Sequence, residues 1–490
     1  MKFKQSHKSM GMKDETWGKT GLSITNILVN EKILSNTLSK FESATGDEQR
    51  LSKLSISLCS FDNQVWPEFE RFLRLLRPKS IQVGWDRKER IASQGWALRL
   101  IQSIGEVAGL ETLELLNLDL RGAESGKFLE RTLGNQRSSL HRFKVMGCLL
   151  DEAGIKGLAK GIRHCTSQLE RLSLNNCALS ETSLSQLFEH GFSKQRSRVT
   201  HMELARNLFS HPSSALALSR VVEFCDRLHL LDLSGNQGFL TLQEDRPTGR
   251  ADTAAIRDGD AIDEEFMETE DTKRRLRCAQ RFFASIANHA NLKELILMGV
   301  NLNNAAATLL FDALQRPGKN IGASSNDTKA SLLKTLDLVQ NPNLKDGEWF
   351  LGVSKLKNLQ TLCFSTTLDL VEGHLYESVG CNTSLIWLEC TAASFSTSRN
   401  EESENDESQS NALQEFQRFC LKRNRFLHKA KSAKNLNKAL WPRLISKLQR
   451  IARFSHSKQP FGKDHSELFE RIQNQILFSF VEGSHTAWLD

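Results

Sequence analysis

Gly18-Lys19-Thr20 has the residue types that end a phosphate-binding loop, in which the lysine reaches a phosphate and the hydroxyl helps hold a metal ion. That loop needs a second glycine five positions earlier. Lys13 stands there and no strand-like run leads into it, so the tripeptide is excluded. The 13 histidines are scattered and none begins an H-E-x-x-H pair; His456, between Ser455 and Ser457, reads as a surface residue. No G-x-S-x-G occurs, and the 10 cysteines form no C-x-x-C pair. Cys59, Cys148, Cys177 and Cys390 instead fall at recurring apolar positions, which reads as reduced, buried thiols. With no convergent acid, base, nucleophile or ligand set, the expectation is a non-enzyme with no cofactor and no metal.

The chemistry left is recognition, and one phrase shows how the chain would present it. In LERLSLNNCAL, Leu169, Leu172, Leu174, Cys177 and Leu179 are apolar. Along a strand successive side chains alternate, so Leu172 and Leu174 face a core while Ser173 faces out. Variants begin at Leu51, weakly near Pro78, then at Leu110, Leu140, Leu169, Val199, Leu228, Leu292, Leu333, Leu359 and Leu385. From Leu110 to Leu228 the starts advance by 29 or 30 residues, room for a helix after each strand. Residues 151–162 (DEAGIKGLAKGI) and 180–192 (SETSLSQLFEHGF) read as two such helices, with Ile155, Leu158 and Ile162 on one face and Leu184 and Leu187 on another.

This period, with Asn or Cys at the ninth position and helical connections, resembles the ribonuclease-inhibitor-like subfamily of leucine-rich repeats over roughly Leu51 to Phe395. The resemblance implies an α/β solenoid: a curved horseshoe with parallel strands on the concave face, helices on the convex face and a helical C-terminal cap. Asn207, Asn236 and Asn341 have a structural role in this reading, their amides bonding backbone of adjacent turns; cysteine does this less fully.

The expected organisation is a polar N-terminal tail and leading cap at 1–45, repeats at 46–395, an acidic linker at 396–411 and a basic helical cap at 412–490. Acidic 243–272 and Gly/Ser/Asn-rich 316–331 read as flexible insertions in connections. In the last segment, FCLKRNRFLHKA followed by LWPRLISK is similar to the terminal module of ribonuclease-inhibitor-like proteins of diatoms and related algae. It departs from that pattern after Arg425, where Phe-Leu-His replaces Gly-Arg. Two amphipathic helices are expected there, one opening at Pro442 and one with Asp464 and Glu467 at capping-box spacing.

The net charge of +7 is concentrated here: residues 418–458 carry 13 Lys or Arg and no Asp or Glu. Lys422, Arg423, Arg425, Lys429, Lys431, Lys434 and Lys438 form the candidate basic patch. A solvated helix face is the plain account of it; an acidic partner, a nucleic acid, an anionic membrane or the chain's own Glu401 to Glu407 tract are the others. Residues 1–13 are polar and basic rather than signal-like, and no apolar run approaches a membrane span, which predicts an intracellular protein of cytoplasm or nucleus.

The central exposed strand positions run Ser55, Gln82, Glu114, Lys144, Ser173, Glu203, Asp232, Ile296, Asp337, Cys363 and Glu389. Five of these eleven are acidic and only Lys144 is basic, which predicts an acidic face interrupted by a basic band at Arg142, Lys144 and Arg171. Trp85, Arg206 and Trp387 complete the candidate partner-binding set, with His201 beside it. The reading is a scaffold that binds a protein, one with a basic surface where the acidic positions lead recognition. Solubility alone also requires polar residues on such a face. A GTPase-activating protein of the Ran-activator type is the alternative by fold analogy, and nucleic-acid or anionic-surface association through the basic C-terminal segment is a lesser one. A nucleotide-binding immune sensor is disfavoured because no nucleotide-binding module precedes the repeats.

Overall fold

A computed structural model describes residues 21–25, 28–45, 51–57, 59–61, 64–84, 94–192, 197–242, 270–315, 331–344, 348–365, 378–379, 382, 384–391, 421 and 424–425. They fall in two compact units. Unit 1 comprises Met1–Leu240 with Arg277–Val300, and unit 2 comprises Thr241–Leu276 with Asn301–Asp490. The fold is an α/β leucine-rich-repeat solenoid, built from strands that pair in parallel with their predecessors and helices that carry the chain between them.

In unit 1 the ladder runs through β1 (Gly21–Thr25), β3 (Lys53–Ser57), β5 (Ser80–Gly84), β6 (Thr112–Leu116), β7 (Arg142–Met146), β8 (Arg171–Asn175), β9 (His201–Glu203), β10 (Leu230–Asp232) and β11 (Glu294–Ile296). A short side pair joins β2 (Leu28–Val29) to β4 (Ser60–Phe61). The ladder thus starts at β1, ahead of position 46, and the segment expected as a leading cap supplies a strand and α1 (Glu31–Thr45). The connections carry α2 (Trp66–Leu76), α3 (Gln94–Gly105), α4 (Ala123–Asn135), α5 (Glu152–Cys165), α6 (Glu181–Gly191), α7 (Pro212–Phe224) and the part of α8 (Glu270–Asn288) from Arg277 on. The last begins inside the tract expected to be loop up to 272.

Inward residues of successive strands stack: Leu113, Phe143, Leu172, Met202, Leu231 and Leu295 are all buried and form one in-register row. Burying each such side chain contributes about 1.5–3 kcal/mol. Helices α5, α6 and α7 start at side-chain caps, Asp151, Ser180 and His211 in turn. Asp151 accepts from the Gly154 amide at 2.8 Å, and its other oxygen accepts from Gly122 of the preceding repeat at 2.8 Å. One carboxylate therefore opens α5 and ties it to the turn before α4. Helices α4 and α5 lie so close that a Cβ on Gly157 would stand 2.0 Å from the Gly126 carbonyl oxygen. Glycine here is a packing requirement.

From β6 to β11 each strand is followed by one left-handed residue. Asn117, Gly147, Asn176, Arg206, Gly235 and Gly299 have φ between 54° and 70° at equivalent places of successive repeats. This conformation aims the amide at the next repeat: Asn117 donates to Met146 O at 2.8 Å, Gly147 to Asn175 O at 3.0 Å, and Arg206 to Ser234 O at 2.6 Å. The ninth-position residue follows at once. Asn207 donates to Leu174 O and Leu204 O and accepts from the amides of Cys177 and Leu179, all within 2.8–3.2 Å. Cys177 makes fewer and longer bonds, donating to Val145 O at 3.5 Å and Asn175 O at 3.3 Å. The substitution of cysteine for asparagine is thus partial, as its single weak donor requires.

Unit 2 repeats the plan with α9 (Asn304–Gln315), β12 (Thr335–Leu338), a 3-10 helix (Glu348–Lys355), β13 (Thr361–Ser365) and β14 (Trp387–Thr391). Gln340 takes the left-handed position at φ 61°, and Asn341 accepts from Leu302 at 2.9 Å and donates to Leu338 O at 2.8 Å. Trp349 packs against Phe311, Phe350 and Phe364 with ring centroids 5.4–5.6 Å apart. Beyond β14, Asn424 donates to Asn382 O at 2.9 Å and Leu385 O at 2.6 Å, so this part of the basic segment is fastened to the last repeat start.

Candidate functional site

The outward face of the strands is set by register, which brings residues 26 to 64 positions apart onto neighbouring strands. In unit 1 the central row is Ser55, Gln82, Glu114, Lys144, Ser173, Glu203, Asp232 and Ile296. The row before it contains Thr112, Arg142, Arg171, His201, Leu230 and Glu294. Arg142 and Arg171 are exposed partners on adjacent strands, with Lys144 two residues along β7. The other half is acidic, with Glu203 opposite Asp232 and exposed Glu294 in the next strand.

Not every candidate is a presented side chain. Ser173 lies in the central row but is only 7% exposed, which corrects its expected outward presentation. The cause is Asn175, whose amide donates to the Ser173 hydroxyl at 3.0 Å and to Glu203 Oε2 at 3.1 Å, closing a small polar cluster over it. Asp232 is half-buried, and its carboxylate accepts from both the amide and the hydroxyl of Ser234. Asp337 does the same for Val339, accepting its amide at 3.0 Å. These two aspartates therefore shape the strand exit as well as carrying charge. Arg206 is exposed, but as the left-handed residue after β9 rather than as a strand position.

His201, in the row with Arg171, is held below the usual imidazole range by burial, then by the Arg171 and His229 charges; Glu294 and Glu203 pull the other way. Its Nδ1 lies 2.8 Å from the Thr200 hydroxyl.

In unit 2 the central row is Asp337, Cys363 and Glu389. Burial pushes the Cys363 thiol up to about 11, with the two flanking carboxylates adding to the shift. Trp387 is 50% exposed at the head of β14. The Arg425 guanidinium lies over its ring, 5.5 Å from the centroid, and donates through Nε to Ile386 O at 2.9 Å. Two sequence candidates from different segments thus meet in one stack. Nothing in their 38-residue separation announces this. Trp85, Lys422, Arg423, Lys429, Lys431, Lys434 and Lys438 lie outside the described residues, as do 243–269 of the acidic tract and the whole 396–411 linker.

Among the described residues, no group of three or more His, Cys, Asp or Glu side chains could hold a metal ion. No described helix is long and apolar enough to cross a membrane. No family model matches the chain, and no curated protein matches it. Among solved structures it is similar to a chain of "Structure of the Toll - Spatzle complex, a molecular hub in Drosophila development and innate immunity (glycosylated form)". The identity is 13% and the TM-score 0.22, over 76% of this chain and 55% of that one. The chain spans about half the length of that neighbour.

Proposed function

We propose that this protein is a non-enzymatic interaction scaffold that binds a protein partner on the exposed face of its strands. The observation that carries the reading is where charges are paired and where they are not. On the helix side, ion pairs join successive connections: Arg131 to Glu106 at 3.2 Å, Lys160 to Glu130 at 3.4 Å, Arg220 to Glu189 at 3.9 Å and Arg281 to Glu223 at 3.8 Å. Among the described residues, no ion pair joins Glu114, Arg142, Lys144, Arg171, Glu203, Asp232 or Glu389, although Glu114 and Lys144 stand opposite each other in register. Exposed pairs contribute little stability, so the contrast bears on binding: the strand-face charges are left to steer and orient a charged partner.

Within unit 1, Glu203 and Asp232 favour a partner with a basic surface; within unit 2, Asp337 and Glu389 do the same, and there Trp387 offers an aromatic anchor. The repeat length and the helical connections support the ribonuclease-inhibitor-like subfamily within the repeat class.

The test is Glu203→Gln, Asp232→Asn and Asp337→Asn combined, which removes charge while keeping the acceptor oxygens that bond Ser234 and Val339. Affinity capture followed by mass spectrometry is expected to lose its main basic, salt-sensitive partner with the folded variant. Unchanged recovery of that partner at matched salt would refute the acidic-face reading.

A further inference from the structure

We propose that the basic end of the unit 1 strand face, Arg142, Lys144 and Arg171, docks a phosphorylated, extended segment of a protein partner. The inference rests on the reading that this face is the recognition face, and it assigns to that face a second ligand of opposite charge.

Arg142 and Arg171 are in-register neighbours on β7 and β8, both exposed, with Lys144 next on the same face. Like charges set opposite each other on adjacent strands are destabilising. No ion pair among the described residues offsets these three. In the central row Glu114 stands opposite Lys144 without an ion pair, and Glu203, next to Ser173 on the other side, has its Oε2 engaged by the Asn175 amide at 3.1 Å. The cluster is therefore a positive centre whose two arginines face each other without an ion-pair partner among the described residues.

Geometry selects the kind of anion. Adjacent strands lie about 4.8 Å apart, whereas same-face side chains of an extended peptide recur every ~6.7 Å. A single doubly charged group matches two guanidiniums at one strand spacing better than two carboxylates on successive same-face positions. Guanidinium forks also suit phosphate oxygens, and arginine clusters are a recurring means of reading phosphorylated segments. A single-stranded nucleic acid is less suited: no Phe, Tyr or Trp is among the described outward residues of β6 to β9, so bases lack a stacking platform. His201 supplies a built-in reporter, since a dianion beside Arg171 counters one of the charges that hold its imidazole down.

The experiment uses the full chain and a nine-residue peptide with one central phosphoserine. Its unphosphorylated and Ser-to-Glu forms, inorganic phosphate, a single-stranded RNA and a lysine-rich peptide complete the set. Binding is read by fluorescence anisotropy, with competition for the unlabelled phosphate, and His201 by its ring-proton shift against pH. The phosphopeptide is expected to bind roughly tenfold or more tightly than the unphosphorylated form. It should raise the His201 titration midpoint and lose binding in Arg142→Gln with Arg171→Gln. It should keep or gain binding in Glu203→Gln with Asp232→Asn, and circular dichroism checks that both variants fold. Equal binding of the two peptides, an unmoved His201, phosphate alone binding as well as the peptide, or RNA binding more tightly through the same arginines each overturns the proposal. If the lysine-rich peptide binds through Glu203 and Asp232 while the phosphopeptide does not, this inference falls and the scaffold reading stands. If neither charged peptide binds, both fall.

Discussion

Removing the side-chain amide of Asn207 should be among the most damaging single changes in unit 1, and the structure says how damaging. Its oxygen is the acceptor for the Cys177 amide at 3.0 Å and the Leu179 amide at 3.2 Å; its nitrogen donates to Leu174 O at 2.8 Å and Leu204 O at 2.9 Å. The residue is buried, so water does not replace it at no cost. In Asn207→Ala the Leu204 carbonyl keeps a donor, because Asn236 also reaches it at 2.9 Å. The two amides lose their acceptor. A buried donor left unsatisfied costs about 1–3 kcal/mol, so the pair sets an expected loss of roughly 2–6 kcal/mol. Asn207→Cys should cost about half as much, since Cys148 and Cys177 fill the equivalent places with longer bonds. Repeat arrays need not unfold in one step, so the local assay is hydrogen exchange at the Cys177 and Leu179 amides, with urea unfolding as the global one. A loss under about 1 kcal/mol in Asn207→Ala, or exchange at those two amides no faster than in the parent, would falsify the assignment of Asn207 as the fastener. Equal losses for alanine and cysteine would refute the equivalence of the two residue types.

Three further outcomes follow from packing and titration. Gly157→Ala should cost about 1–3 kcal/mol in thermal or urea unfolding, because its Cβ meets backbone of Gly126 that only a helix shift can clear; an unchanged midpoint refutes the close approach of α4 and α5. His289 accepts the Leu292 amide on Nδ1 at 2.9 Å, and its Nε2 lies 2.9 Å from the Cys225 carbonyl, so the fold holds the neutral ring. Burial is the main cause of its lowered pKa, followed by opposing contributions from the Cys225 bond and Asp226 and a small lowering from His229. The unfolded chain then takes up the proton first, so this contribution is intact above about pH 6.5 and is lost as pH falls from there through the folded-state value. Urea midpoints should drop from pH 8 to pH 5.5, and His289→Gln should flatten that slope; an equal slope in the variant removes His289 as its source. Cys363, with its thiol at about 11, should alkylate about 100-fold more slowly at pH 7.5 than an unperturbed thiol. Asp337→Asn with Glu389→Gln should speed it, and a site-resolved rate unaffected by that neutralisation contradicts the electrostatic part of the account.

The repeat was legible because it is written in side chains that must be buried: Leu172 and Leu174 announce a strand, and a spacing of 29 or 30 residues announces the helix. The row order of the face followed from the same register. The site's chemistry was less legible, because exposure is a property of neighbours. Ser173 reads as outward by alternation, yet Asn175 covers it from two positions away on the same strand and binds Glu203 on the next. The left-handed position was also written in the sequence, as Asn117, Gly147, Asn176, Gly235 and Gly299 at one place in the period, since these residue types tolerate that backbone. Arg206 hides it, because a charged residue there reads as part of the surface. The meeting of Trp387 with Arg425 has no local signal at all. It depends on how the chain returns to β14 after a long polar stretch.

Separation of duties between rows narrows the recognition set. Inward leucines and the ninth-position asparagines and cysteines hold the solenoid from within, and the left-handed exits serve it through their backbone while Asn176 and Arg206 leave their side chains exposed. Most outward residues can therefore vary in charge without cost to folding, which is what a surface dedicated to a partner requires. Asp232 and Asp337 are exceptions, because each spends an oxygen on its own strand exit, so their presence is explained without any partner. Arg142 and Arg171 have no such explanation: they repel each other, receive no ion pair among the described residues and leave the ladder's own bonds untouched. Charges that stabilise nothing in the free chain are where specificity is expected to lie, and on this face the basic cluster meets that condition more fully than the aspartates do.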